Sequence, residues 1–244
     1  MSLERIRFLE ELAWRGWPAL ESRDQDGWRL RFAGGYTKRS NSINSLGPDA
    51  RIDLEALEGA YRELGQRPVW RLSPLVPAGL PAALAERGYP VIEESHVQVC
   101  PIDSRFRHDP AVQIFARPTP DWVSAFVVHS PVAPHHHEPM GRMLRAIAAP
   151  AGFAYVGEPG APLALAIGAV EGEYMGLFDV LVMPAARRQG LARRITESLY
   201  AWAADHGARF AYLQVVATNL AARPLYDAQG FKTVYTYHYR APPA

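Results

Sequence analysis

Residues Leu177 to Arg194 read LFDVLVMPAARRQGLARR, and the reading of this stretch decides the fold. Apolar residues run to Val182 with only Asp179 among them, the pattern of a buried strand. Pro184 prevents that strand from continuing. Helical spacing resumes at Leu191 and predicts a helix over 191–206. Between strand and helix lie Arg187, Arg188, Gln189 and Gly190, with the small Ala192 in the first helical turn. Such a loop can turn several successive backbone N–H groups toward one point, at the positive end of a helix. Gly190 lets the backbone approach a ligand closely, and the two arginines supply charge for a polyanion. The stretch reads as a pyrophosphate cradle. It is not a nucleoside-triphosphate loop, because the GxxxxGK[ST] pattern is missing. The bland alternative is a basic loop with solvated arginines. Against it stand the strand before, the helix after and a second signature downstream.

That second signature is NLAARPLYDAQGF, from Asn219 to Phe231. It follows a predicted strand over 210–216 and holds a helix that starts near Pro224 and ends near Gly230. A final strand is predicted over 232–239. Upstream, 111–117 reads as a strand, 119–129 and 138–148 as helices, and 153–157 and 163–170 as strands. A hairpin turn at Glu171-Gly172-Glu173 leads into the strand over 174–183. In the first half, 3–14 and 53–64 carry apolar residues at helical spacing, and 28–33, 68–72 and 91–99 read as strands. The prolines and polarity of 101–110 mark a linker. Strands interrupted by helices, with a hairpin at the centre, describe an α/β fold built on mixed sheet.

The two signatures resemble those of the GNAT superfamily of acyl-CoA-dependent N-acetyltransferases. The resemblance is carried by V-x-P-x-x-R-R-x-G-L-A over 182–192 and N-x-x-A-x-x-x-Y-x-x-x-G-F over 219–231, and it covers 111–240. LFDVLVMPAARRQGLA is similar to the branch that acetylates protein N-termini, without fixing a substrate. The resemblance implies acetyl-CoA as co-substrate and a primary amine as acceptor. It implies that loop amides hold the pyrophosphate and that the end of the preceding strand pairs with the pantetheine arm. Carried over, the binding residues are Leu181, Val182, Arg187, Arg188, Gln189, Gly190, Leu191 and Ala192. Asn219 matches the asparagine that hydrogen-bonds the cofactor arm, with a helix N-cap as its alternative role. Tyr226 matches the tyrosine that protonates the leaving thiolate, with core packing beside Phe231 as its alternative.

Amine acetylation sets further requirements. The amine must be neutral to attack, so a base or water chain removes its proton, and a backbone N–H near Val182 could stabilise the oxyanion. Where the N-terminus-acetylating branch carries a glutamate on the strand over 210–216, this chain has Gln214, and an amide cannot take a proton. Asp179, Glu173 and Glu171 remain. Asp179 is the favoured base, because apolar neighbours would bury it and raise its pKa; a structural carboxylate is the alternative. His135, His136 and His137 before Glu138 form a substrate-side or merely solvated loop. Consecutive residues seldom face one metal, so no metal is expected. The alternating aromatics Phe231, Tyr235, Tyr237 and Tyr239 predict one packed face of a strand.

The first half carries a faint echo of the second. A shift of 142 residues superposes Gly65 on Gly207, Gly88 on Gly230 and His96 on His238. The expected organisation is therefore tandem GNAT-like mixed sheets flanked by helices, with a lobe over 1–104 and an acetyltransferase domain over 105–244. The same shift sets Ser45 at Arg187, Pro48 at Gly190, Pro77 at Asn219 and Leu84 at Tyr226. Proline removes a backbone donor and leucine cannot donate a proton, so the first lobe reads as degenerate, without a cofactor site. Its stretch GWRLRFAGGYTKRSNSINSL (27–46) resembles an N-terminal segment of some two-lobed GNAT proteins. Gly34, Gly35, Tyr36, Arg39 and Asn41 either face the acceptor or form a plain turn with a basic patch.

Composition sets the outer bounds. With 48% hydrophobic and 21% charged residues, the 244-residue chain is globular rather than disordered. A formal charge of +1 gives no basic balance for nucleic acid. A single cysteine, Cys100, excludes an intrachain disulfide and a Cys-based zinc site. The opening MSLERIRFLE lacks the apolar core of a secretory signal, and no apolar run reaches the roughly 18 residues of a spanning helix. A cytoplasmic protein without membrane or nucleic-acid partners is expected, and a homodimer stays open. The favoured function is direct acetyl transfer from acetyl-CoA to a primary amine of a small molecule or peptide. The alternative is a CoA-binding pseudo-enzyme or regulator, which Gln214 would suit.

Overall fold

In the computed structural model, which describes residues 1–130, 132–148 and 150–243, the chain forms two units. The first comprises Met1–Val97, Val215–Asn219 and Thr233–Ala244, and the second Gln98–Gln214 and Leu220–Lys232. The class expected from the sequence, α/β with mixed sheets flanked by helices, is the one observed. Among the described residues, no helix is long and apolar enough to cross a membrane.

In the first unit, Asp26 and Gly27 take left-handed conformations (φ 51° and 85°) and turn β1 (Glu21–Gln25) onto β2 (Trp28–Phe32). An Asp-Gly pair with both φ positive is a type I′ hairpin, whose twist matches that of its strands. The strand order continues through β3 (Ile43–Ser45) and β4 (Trp70–Leu72) to β11 (Lys232–Arg240), with β5 (Val91–Pro101) next. Helices α1 (Leu3–Gly16), α2 (Leu54–Glu63) and α3 (Leu80–Glu86) complete the unit. Its core gathers Trp28, Leu30, Ile43, Leu57, Tyr61, Trp70, Leu80 and Leu84, with the Trp28 and Trp70 rings edge-on at 5.3 Å. The last strand of the chain thus completes the first unit, pairing antiparallel with β4 (His238 opposite Leu72, Arg240 opposite Trp70). Tyr235, Tyr237 and Tyr239 are buried, forming the packed face that their alternation predicts.

A charged network lies inside this unit. Arg71 of β4 donates two hydrogen bonds to Glu10 of α1, at 2.8 and 2.7 Å, and both side chains are buried. The Tyr235 hydroxyl donates to the same carboxylate at 2.5 Å, and the Arg71 guanidinium lies 3.3 Å from the Tyr237 ring centroid. Arg31 is also fully buried, and donates to the carbonyls of Trp14, Trp17 and Arg39. Burial, and then the positive charge of Arg71, push the Arg31 pKa down to about 9, which leaves it protonated at neutral pH. Asn41 accepts from the N–H groups of Ala33 and Gly35 and donates to the carbonyls of Tyr36 and Thr37. These bonds make Asn41 the organiser of a turn.

The second unit has the strand order β10 (Phe210–Val216), β9 (Tyr174–Val182), β8 (Ala161–Glu171), β7 (Ala151–Glu158) and β6 (Val112–Phe115). All neighbours are antiparallel except β9 and β10, which run parallel. Helices α4 (Pro120–His129), α5 (His137–Arg145), α6 (Leu191–Asp205) and α7 (Arg223–Ala228) belong to it. Trp122 of α4 stacks on Phe126 at 5.1 Å and meets Phe153 of β7 edge-on at 5.4 Å. β1, β3 and α3 are absent from the sequence reading. β1 reads ESRDQ and is almost wholly exposed, β3 has three residues and α3 seven, so none carries a full apolar period.

The 142-residue shift has a counterpart in hydrogen bonding. After α2, the amides of Gly65 and Gln66 donate to the carbonyls of Arg62 and Tyr61; after α6, Gly207 and Ala208 donate to Ala204 and Ala203. After α3, Gly88 and Tyr89 donate to Ala85 and Leu84; after α7, Gly230 and Phe231 donate to Asp227 and Tyr226. Every one of these pairs is related by the same shift. Left-handed glycines end all four helices, with φ between 64° and 90°. A Cβ at Gly65 or Gly207 would meet nothing within 4 Å, so only its backbone conformation resists substitution. Gly65→Ala and Gly207→Ala are each expected to cost about 1–2 kcal/mol by urea denaturation. A cost below ~0.5 kcal/mol at either site would contradict the torsional origin.

Candidate active site

The loop read from the sequence as a cradle, 187–192, leads into the start of α6. Met183 and Pro184 end β9, a single 3-10 turn (Pro184–Ala186) follows, and Arg188 (φ 64°) and Gly190 (φ 76°) are both left-handed. Gly190 is the N-cap of α6, and no side chain caps the helix. The first intrahelical bond comes from Arg194, whose N–H donates to the Gly190 carbonyl at 3.1 Å. The amides of Leu191, Ala192 and Arg193 precede that bond and have no helical acceptor. A 15-residue helix thus presents its positive end without a capping acid. At the start of α2 in the first unit, by contrast, the Asp53 carboxylate accepts from the Ala56 amide at 3.1 Å.

The four arginines of this segment divide in two. Arg194 donates to Asp109 at 2.6 Å, and Arg193 pairs with Glu197 at 2.7 Å. The Arg194 bond holds the Asp109 carboxyl below the usual carboxylate range. Arg187 and Arg188 are exposed, and Arg187 donates its Nε to the Val182 carbonyl at 3.3 Å, tying the loop to the end of β9. Asp109 lies 85 residues from Arg194 in a segment that reads only as a polar linker, so no local pattern marks it.

Above the cradle, the β9–β10 ladder runs from Phe210 opposite Tyr174 to Leu213 opposite Leu177. β9 continues to Val182 on β8 alone, and its register against β8 slips between Leu165 and Ile167. The slip falls at Asp179, whose φ is 45°, a conformation that aspartate tolerates better than most residues. A bulge re-aims its side chain, and Asp179 is half-buried rather than enclosed as the apolar pattern of its strand suggests. Leu181 and Val182 are also half-buried.

Tyr226 lies in α7, with Pro224 in the first turn as expected. It is buried beside Phe231, ring centroids 5.8 Å apart. Burial, and then the negative charge of Asp179, push its phenol pKa up to about 12. The structure therefore brings Tyr226 and Asp179 within electrostatic reach of each other. Asn219 is exposed and belongs to the first unit; its N–H donates to the Val216 carbonyl at 2.9 Å. It is not the N-cap of α7, a place taken by Ala222. The His135 and His136 rings lie 4.0 Å apart and tilted by 54° before α5, and among the described residues no group of three or more His, Cys, Asp or Glu could hold a metal.

An uncapped helix behind a proline-stopped, bulged strand, with a buried tyrosine on the next helix, defines the class: a GNAT-fold N-acetyltransferase. The chain belongs to the family described as probable histone acetyltransferase Rv0428c, C-terminal, which matches residues 4–240. It is 29% identical over 249 residues to the uncharacterized N-acetyltransferase YobR of Bacillus subtilis (strain 168), covering 98% of this chain and 99% of that protein. The fold is similar to that of a GCN5-related N-acetyltransferase from Kribbella flavida, with TM-score 0.70, 15% identity, and 98% and 95% of the two chains covered. It is also similar to a tandem GNAT protein from the clavulanic acid biosynthesis pathway, with TM-score 0.61, 11% identity, and 97% and 88% covered. The protein is an acyltransferase.

Proposed function

We propose that this enzyme transfers an acetyl group from acetyl-CoA to a primary amine by direct attack, using the second unit alone for the cofactor. The observation that carries this reading is the α6 N-terminus, which has no capping side chain and follows a left-handed glycine. A Cβ on Gly190 would meet no protein atom within 4 Å, so no side chain covers the helix start at that point. Leu191, Ala192 and Gly190 supply amides there, Arg187, Arg188 and Gln189 flank them, and Leu181 and Val182 face the pantetheine arm. Residues 1–104 are read as a degenerate GNAT-like lobe from a duplication, and the shared capping bonds support this origin.

In the reaction, the amine nitrogen attacks the thioester carbonyl carbon and its proton passes to Asp179, directly or through water. The C–S bond then breaks, and Tyr226 gives its proton to the leaving sulfur. A phenol titrating near 12 is fully protonated at neutral pH, as this role requires. The test is thiol release from acetyl-CoA over a panel of small amines and peptides. Turnover on at least one amine supports the reading, and none on any amine, with CoA bound, would overturn it. The same assay separates peptide from small-molecule acceptors.

The ion pairs give the cradle a sharper signature. Arg187→Ala and Arg188→Ala are each expected to weaken CoA binding about tenfold, the loss of roughly one charge-assisted hydrogen bond. Arg193→Ala is expected to change it by less than about twofold, because that side chain is engaged by Glu197 in an exposed pair. Isothermal titration of CoA checks this; equal losses at all three positions would refute the division.

A further inference from the structure

α7, which carries Tyr226, has only six residues, too few to hold an orientation of its own. Its C-cap, Gln229, is 4% exposed, and a buried amide must find partners. The Gln229 Nε2 donates to Thr196 Oγ1 at 2.8 Å, and Tyr200 donates its hydroxyl to Gln229 Oε1 at 3.3 Å. Thr196 and Tyr200 are both fully buried on α6. The Thr196 hydroxyl in turn donates to the Ala192 carbonyl at 2.9 Å. A chain of polar contacts therefore runs from the end of the tyrosine helix to the first turn of the cradle helix. The Gln229 carbonyl is held as well, accepting from Cys100 Sγ and Arg105 Nη2, each at 3.1 Å.

We propose that Gln229 is a positioning residue, which sets the Tyr226 phenol relative to the α6 N-terminus through Thr196 and the Ala192 carbonyl. Resting on the reading of Tyr226 as acid and α6 as cradle, it adds what holds the two in register. The geometry requires a side chain that donates at one end and accepts at the other. Glutamate cannot donate to Thr196, and methionine of similar length makes neither bond. Because Gln229 acts through Tyr226, its loss should matter only while the phenol is present.

The experiment is a double-mutant cycle on the full chain with Gln229→Met and Tyr226→Phe, read as kcat and KM for acetyl-CoA with the best amine, and as CoA affinity by calorimetry. Gln229→Met is expected to lower kcat tenfold or more with CoA affinity within about threefold, and to lower it less than twofold further in the Tyr226→Phe background. Drops that multiply, or an unchanged kcat in the single variant, would overturn the proposal. Wild-type kcat in Tyr226→Phe would instead overturn the acid reading beneath it. Should Gln229→Met fail to fold, Thr196→Val must lower kcat in the same way and Thr196→Ser must restore it; equal kcat in both refutes the link. If no amine is turned over, hydrogen exchange at Tyr226, Gly230 and Phe231 gives the readout, expected at least fivefold faster in Gln229→Met and overturning the proposal if unchanged.

Discussion

A Tyr226→Phe enzyme is expected to retain CoA affinity and to lose about a hundredfold or more in kcat, within the range usual for removing a general acid. Phenylalanine keeps the ring against Phe231, so the loss isolates the hydroxyl. The pH dependence follows from the same environment. Burial and the Asp179 charge raise the phenol pKa to about 12, so the proton-donating form persists as pH rises and is lost only on passing through that value. The wild-type kcat profile should therefore show no alkaline fall below about pH 11, one unit under that midpoint. A fall near pH 9 that disappears in Tyr226→Phe would contradict the assigned environment. A kcat within threefold of wild type in the variant would remove Tyr226 from the chemistry.

The largest stability effect is expected at Arg71. Arg71→Met leaves the Glu10 carboxylate buried with only the Tyr235 hydroxyl from the network, and breaking a buried pair from one side costs about 3–5 kcal/mol. Replacing both partners, as Glu10→Leu with Arg71→Met, removes the stranded charge and should recover about 2 kcal/mol or more. Urea denaturation of the two variants measures this. A single-variant cost below about 1 kcal/mol would mean that water reaches the network and that its burial contributes little.

The parts of the fold legible in the sequence are those governed by neighbours along the chain. β9 stops before Pro184, α6 starts after a left-handed Gly190, and α2, α6 and α7 end at left-handed glycines, because a proline or glycine acts within a turn of its own position. β1 shows where that reading fails. Its Asp26-Gly27 turn is a strong hairpin signal, yet the polar ESRDQ before it has no apolar alternation to announce a strand. Asp179 shows a second limit. Its strand is evident, but a one-residue slip against β8 turns its side chain in a way that no periodicity encodes.

By itself, then, the sequence determined the longer elements and their order, the loop that leads into α6, the helix that bears Tyr226 and the resemblance to a GNAT family, since each rests on residues close together in the chain. The tertiary structure alone decided which carboxylates meet which arginines, Asp109 with Arg194 and Glu10 with Arg71. It also decided that β11 completes the first unit on β4 and that Gln229 joins α7 to α6. These pairings link residues from 33 (Thr196 and Gln229) to 170 (Trp70 and Arg240) positions apart. They are selected when buried polar groups must find partners, a requirement that arises only once the core has closed.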